Sequence, residues 1–275
     1  MEDKLVTEAL ELAMQAAVKA GSHLAAAARG LERIPAEEKG LHDFVTDVDR
    51  ECEEIIIGEI KKRFPGHGLL AEESGRDRNS SPWLWVIDPL DGTTNFIRGI
   101  RHCGVSIALL HEGRTVLGVI HDPFRDELFQ ARLGGGAFLG DRPIRVSTRN
   151  TINGSFAATG FPFKIPDFID SYLEIFRSFQ PLVSDMRRCG SAVLDLAYTA
   201  CGRFDFFWEA YLMPWDFAAG SLIVSEAGGL VSDFTGRSPG LRAGGIIAAP
   251  AGLHPLVLAG IKRALEKAAS VFIKP

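Results

Sequence analysis

The chain has 275 residues, enough to bury a substantial core, and suits one large domain or two closely fused halves rather than a string of small modules. Its 46% hydrophobic and 24% charged residues exclude a disordered polymer, and a net charge of -5 supplies no basic footprint, so direct nucleic-acid binding is not expected. The acidic, amphipathic start MEDKLVTEALELAMQAA is unlike a secretion signal, and the apolar stretch 245–258 is broken by Pro250, His254 and Pro255, so a cytoplasmic chain with no membrane partner is expected.

In chain order, Leu5, Ala9, Leu12, Ala16, Ala20 and Leu24 recur three or four apart, which predicts one long helix over 5–28, ended by Gly30 and Pro35. A second helix is predicted over 47–64, with Val48, Cys52, Ile55, Ile56 and Ile60 on one face and a capping box of Thr46 and Asp49. Leu69-Leu70-Ala71 reads as a short strand. Strands are predicted at 83–87, 103–110, 115–120 and 127–131, with Gly134-Gly135-Gly136 as a hairpin turn, since no Lys-Ser/Thr follows to make a phosphate loop. Beyond Asn150 the pattern alternates: a strand near Phe156, helices over 168–179 and 191–201, a strand over 203–208, a helix over 216–227, a strand over 246–249 and a helix over 253–269. This mixture predicts a layered α/β fold around mixed, largely antiparallel sheets, as a single domain over 1–275 with halves meeting near residue 150. Cys52, Cys103, Cys189 and Cys201 are irregularly spaced and read as reduced thiols.

The run WLWVIDPLDGTTNF carries the chemistry. An apolar strand delivers Asp88 to its end, Pro89 forces a turn, and Asp91 returns to the same small volume. Two carboxylates so placed repel each other unless a proton or a cation lies between them, and oxygen-only ligands suit a hard divalent ion. Gly92-Thr93-Thr94 then offers free backbone N–H groups at a helix start, where phosphate binds well. Taken alone, Asp-Pro-x-Asp-Gly is equally a surface turn with solvated acids. Glu72 and Glu73 follow the strand ending at Ala71; Glu73 reads as an exposed charge. Asp216 opens a small-residue helix, where it can serve as N-cap, ligand or both. The seven histidines are scattered without metal-ligand spacing and are not assigned to the site.

DFVTDVD (43–49), AEES (71–74), WVIDPLDGTTNF (85–96), GSAVLDLAYTACGRFD (190–205) and PWDFAAGSLIVSEAGGLVSDFTG (214–236) together resemble the inositol monophosphatase family, most closely its bacterial members. The resemblance implies an alternating α-β-α-β-α sandwich of the sugar-phosphatase type. It implies two or three Mg2+ ions, one held by Glu72, Asp88 and the Leu90 carbonyl, another by Asp88, Asp91 and Asp216. It implies that Glu72 activates water with Thr93 and Asp49 in support, that Gly92 and Thr93 bind phosphate, and that Asp91, Ala192, Glu209 and Asp216 border the substrate. Lys39 matches a family lysine near the metals. The implied reaction is hydrolysis of myo-inositol monophosphate by a lithium-sensitive homodimer. Fructose 1,6-bisphosphate or another small phosphate ester is the nearest alternative, and some bacterial relatives also bind the transcription and ribosomal-RNA machinery. The chain departs from the family pattern at Arg101, Cys103, Tyr211 and Met213, all beside the expected substrate region.

Overall fold

Small apolar residues at helical spacing let two helices approach closely. In the computed structural model, which describes residues 2–29, 36–40, 43–77, 80–242 and 244–271, α1 (Glu2–Ala27) buries Ala9, Ala13, Ala16, Ala20 and Leu24. It packs on α2 (Asp47–Arg63), which contributes Cys52, Ile56 and Ile60 to the same core. Gly30 and Pro35 lie outside the described residues, as does the side chain of Lys39. A short hairpin, β1 (Glu37–Gly40) and β2 (Asp43–Val45), leads into α2, whose N-cap is Thr46 with the expected capping box to Asp49.

The first large sheet is built from β3 (Gly68–Ala71), β4 (Gly75–Arg76), β5 (Trp83–Asp91), β6 (Gly104–His111), β7 (Arg114–Asp122), β8 (Glu127–Arg132), β9 (Gly136–Leu139) and β10 (Arg142–Pro143). A one-turn helix, α3 (Thr93–Ile97), interrupts the run after β5. Its order is β10-β9-β8-β7-β6-β5-β3-β4, antiparallel throughout except between β3 and β5. The predicted end of β5 at Ile87 is too early. The strand continues through Pro89 to Asp91 as a bulge: Asp88 pairs with Ser106 and Asp91 with Gly104, so three steps on β5 meet two on β6. A bulge tolerates the missing proline N–H, and it carries both acids on one strand.

The second sheet takes β11 (Phe156–Thr159), β12 (Asp185–Arg187), β13 (Phe206–Leu212), β14 (Gly229–Ser232) and β15 (Gly244–Pro250) in the order β12-β11-β13-β15-β14. Its helices are α4 (Ile169–Phe179), α5 (Ala192–Ala200), α6 (Pro214–Glu226) and α7 (His254–Val271). Here β11 is parallel to both neighbours and β15 antiparallel to both of its own. The strand predicted over 203–208 begins three residues later and runs on to Leu212. Gly202 at φ 77 and the bond from the Arg203 N–H to the Tyr198 carbonyl keep 202–205 in the turn that closes α5.

The layers follow from the cores. One apolar cluster joins α1 and α2 to the outer face of the first sheet, and another joins α4 and α7 to the outer face of the second. Between the sheets, α5 and α6 pack against Val86, Ala108, Leu110 and Phe129 on one side and Ala158, Phe207, Ile246 and Ala248 on the other. The protein is an α-β-α-β-α sandwich, and the inner helices bring their N-termini to the end of β5.

Candidate active site

Three chain segments meet at the end of β5. Asp88 is almost fully buried; its Oδ1 accepts the Leu90 N–H at 3.0 Å, while its Oδ2 is buried with no hydrogen-bond partner among the described residues. Asp91, three residues on, accepts from Ser191 Oγ at 2.7 Å and from the Val193 N–H at 2.9 Å, so its Oδ2 ties the start of α5 to β5. Asp216 comes from α6. It sits at the third helical position rather than at the cap expected for it, and its Oδ2 accepts the Met213 N–H at 2.7 Å. One carboxylate oxygen from each of Asp88, Asp91 and Asp216 lies within 4.8 Å of the others. Glu72 arrives on the turn after β3, close enough for its charge to act on Asp88 and Asp216.

Such packing is electrostatically costly. Burial, then the charges of Glu72, Asp91 and Asp216, hold the Asp88 carboxyl well above the usual carboxylate range. Burial and the charges of Asp91 and Glu72 do the same to Asp216. Asp91 is raised by burial against the opposing pull of its Ser191 and Val193 hydrogen bonds. A cluster of oxygen donors with an orphaned buried carboxylate oxygen at its centre fits a hard divalent cation, which would neutralise the repulsion and supply the missing partner.

A supporting arm runs back to α2. Asp49, fully buried, accepts at Oδ2 from the Thr46 N–H at 2.9 Å, and its Oδ1 receives Thr93 Oγ1 at 3.0 Å. The same hydroxyl lies 3.2 Å from the Leu90 carbonyl, so the capping box, Thr93 and the β5 bulge form one chain. Gly92 opens α3 at φ 95, a conformation only glycine adopts without strain, and an added Cβ would lie 3.0 Å from the His102 carbonyl and 3.2 Å from that of Gly190. The N–H groups of Gly92 and Thr93 precede the internal hydrogen bonds of α3.

On the side away from α2, Glu209 of β13 is pushed up to about 8 by burial and the Asp91 charge, against the pull of Arg188 and Lys164. Its carboxylate occupies the space a side chain at 160 would fill: a Cβ on Gly160 would come within 1.9 Å of Glu209 Oε1. Ala192, the first residue of α5, sits between the two residues that bond Asp91. The bulge that follows Glu209 places Tyr211 at φ 62. A glycine takes that conformation freely; here the ring is propped edge-on against Phe168 at 5.1 Å.

The structure therefore gathers Asp88, Asp91 and Asp216 at one point, with the Glu72 charge acting on it and Leu90, Asp49, Gly92, Thr93, Ala192 and Glu209 on the surrounding segments. Several positioning groups escape the sequence reading. Glu53 is buried, and its carboxylate accepts the N–H groups of Glu73 at 2.9 Å and Ser74 at 2.8 Å, fixing the turn that carries Glu72. Glu73 itself is partly buried through this contact rather than an exposed charge. Asp49 and Glu53, four apart on an otherwise apolar helix face, were the available signal. Ser191, Arg188 and Lys164 carry no such pattern in the sequence.

The profile of the Inositol monophosphatase family matches residues 5–267. The Nus factor SuhB of Escherichia coli K12 is 45% identical over 260 residues, 94% of this chain and 97% of that one. Among solved structures, the extragenic suppressor protein SuhB from Bartonella henselae superposes with a TM-score of 0.89 at 42% identity, covering 93% of this chain and 99% of that one. An inositol monophosphatase from Anabaena gives 0.83 at 36% identity, with 94% and 96% covered. With both sheets, the inner helices and all of the acid cluster inside the matched region, the chain belongs to the inositol monophosphatase family.

Proposed function

We propose that the protein is a magnesium-dependent phosphomonoesterase that hydrolyses myo-inositol monophosphate to inositol and phosphate. The observation that carries this reading is the buried, partnerless Asp88 Oδ2 at the centre of three converging carboxylates. Glu72, Asp88 and the Leu90 carbonyl would hold one Mg2+, and Asp88, Asp91 and Asp216 a second. When bound, the ions screen the phosphate dianion and lower the barrier to attack by water. The remaining work falls to the chain itself. Glu72 accepts the proton of the attacking water, while Asp49 orients the Thr93 hydroxyl beside it. The N–H groups of Gly92 and Thr93 donate to phosphate oxygens, and Arg188 and Lys164 add positive charge on the substrate side. Glu209 and Asp91 accept hydrogen bonds from the polyol, with Ala192 leaving room for its ring.

The test is a panel of phosphate esters with Mg2+, in which inositol monophosphate should show the highest kcat/KM, and millimolar lithium should inhibit. A higher value for fructose 1,6-bisphosphate or another ester would reassign the substrate, and no release from any ester would overturn the reading. Cytoplasmic location and a homodimer belong to the same proposal, the latter checked by light scattering. Among the described residues, no helix is long and apolar enough to cross a membrane.

The name Nus factor carried by the relatives favours a second role, contact with the transcription machinery. Such a role depends on surface rather than on the acid cluster. An Asp88→Asn variant that loses hydrolysis yet restores growth to a deletion strain would support it; failure to restore would oppose it.

A further inference from the structure

Beside the acid cluster, separated from it by the start of α5, a second group of ligand-type side chains converges. His102 follows α3, Cys189 precedes α5, and Asp195 lies in the first turn of α5. A ring nitrogen of His102, the Cys189 sulfur and a carboxylate oxygen of Asp195 lie within 4.8 Å of one another. The segments are knotted together by one side chain: Asn95 Nδ2 donates to the carbonyls of His102 at 2.8 Å and Cys189 at 2.9 Å. The imidazole is walled by the Tyr198 ring, edge-on at 6.0 Å, and Tyr198 is anchored through its hydroxyl to Asp122 at 3.1 Å.

What sets this cluster apart from ordinary packing is that two of its members lack partners. His102 is 8% exposed and Asp195 1%, yet His102 Nε2 and Asp195 Oδ1 are buried with no hydrogen-bond partner among the described residues. A buried polar atom without a partner is destabilising, more so if charged, so a pair of them in one small volume calls for an occupant. Cys189 is partly exposed and offers an approach from solvent.

We infer that His102, Cys189 and Asp195 form a second cation site, selective for a thiophilic divalent ion of the Zn2+ type and chemically distinct from the oxygen-only cluster of Asp88, Asp91 and Asp216. A thiolate, an imidazole and a carboxylate are the donors Zn2+ takes, with a fourth position left for water, whereas Mg2+ requires oxygen. The charges close: one carboxylate and one thiolate offset the dication beside a neutral imidazole, and the thiol proton leaves to solvent as the sulfur binds. Burial holds the His102 ring below its ordinary value, in the neutral form that ligates. Burial pushes the Cys189 thiol up to about 11, and burial with the charges of Glu209 and Asp91 raises Asp195. The site is independent of the proposed hydrolysis, because none of its three side chains is assigned to the ester.

The test is a titration of the metal-stripped full-length protein with Co2+, in the presence of excess Mg2+, read by the near-ultraviolet thiolate-to-cobalt charge-transfer band and its loss on adding Zn2+. The band should appear in the wild type and in Asp88→Asn, vanish in Cys189→Ser, and require at least tenfold more Co2+ in Asp195→Asn and His102→Gln. Cys189→Ser removes one sulfur without changing shape, so its circular dichroism should match the wild type even if the histidine variant folds poorly. No band in the wild type, or a band that survives Cys189→Ser and so arises from another cysteine, overturns the inference. A band lost in Asp88→Asn would also overturn it by placing the ion in the acid cluster.

Discussion

Asp88 and Glu209 show how this site keeps acids that would rather be neutral. A carboxyl raised in the folded state binds more protons than in the unfolded chain, so its contribution to stability is present at low pH and is lost as pH rises through the folded value. For Glu209, pushed from 4.5 to about 8, that window runs from about pH 4.5 to about pH 8. Glu209→Gln should therefore melt progressively above the wild type as pH rises across this range in metal-free buffer, by scanning calorimetry; a constant Tm gap would contradict the assignment. Asp88→Asn should likewise raise the metal-free Tm while abolishing the further rise on adding Mg2+, and it should lower kcat on the ester by roughly three orders of magnitude if it removes a bridging ligand. At this scale Glu72, Asp88 and Asp91 were legible as acids placed after apolar strands and Asp216 as one at a helix start, whereas Leu90, Ala192, Glu209 and the pairing of Asp49 with Thr93 came from the family resemblance. Glu53, Ser191 and Arg188 were not read: Glu53 and Ser191 act by holding backbone and a neighbouring acid in place and Arg188 by its charge, and of the three only Glu53 left a trace in the sequence, through its spacing from Asp49.

Among the elements, the long helices followed from their period and the caps from Thr46 and the residues around it. Removing the cap as Thr46→Ala should cost about 1 kcal/mol of stability and also lower kcat more than it raises KM, since the Asp49 carboxylate that orients Thr93 loses the Thr46 hydroxyl and keeps only the residue-46 N–H on that oxygen. Short strands such as β4, β10 and β12 were not foreseen, since two or three residues carry no period. The β5 bulge and the late start of β13 were missed because both depend on the neighbouring strand or helix rather than on local sequence. Close approach between elements is also invisible in the sequence until a glycine is seen in place. A Cβ on Gly118 of β7 would come within 2.7 Å of the Ala219 carbonyl of α6, so Gly118→Ala should destabilise by about 1–3 kcal/mol through overpacking. Denaturant midpoints of the two proteins measure it.

For the molecule as a whole, the central layer decides cooperativity. Its apolar cluster mixes residues from both sheets with α5 and α6, so neither the half before residue 150 nor the half after it owns a complete inner core. We therefore propose one unfolding unit, with Trp85 and Trp208 reporting coincident transitions from the two outer cores when each tryptophan is kept in turn. The same layer places the N-termini of α5 and α6 at the end of β5, which is what brings Asp88, Asp91 and Asp216 together from distant parts of the sequence. That convergence is tested most directly by phosphate release from myo-inositol monophosphate, using metal-stripped wild type and Asp88→Asn side by side before and after Mg2+ is added. Release that appears only in the wild type and only with Mg2+ is the predicted result; turnover that survives without Mg2+, or in Asp88→Asn, would contradict it.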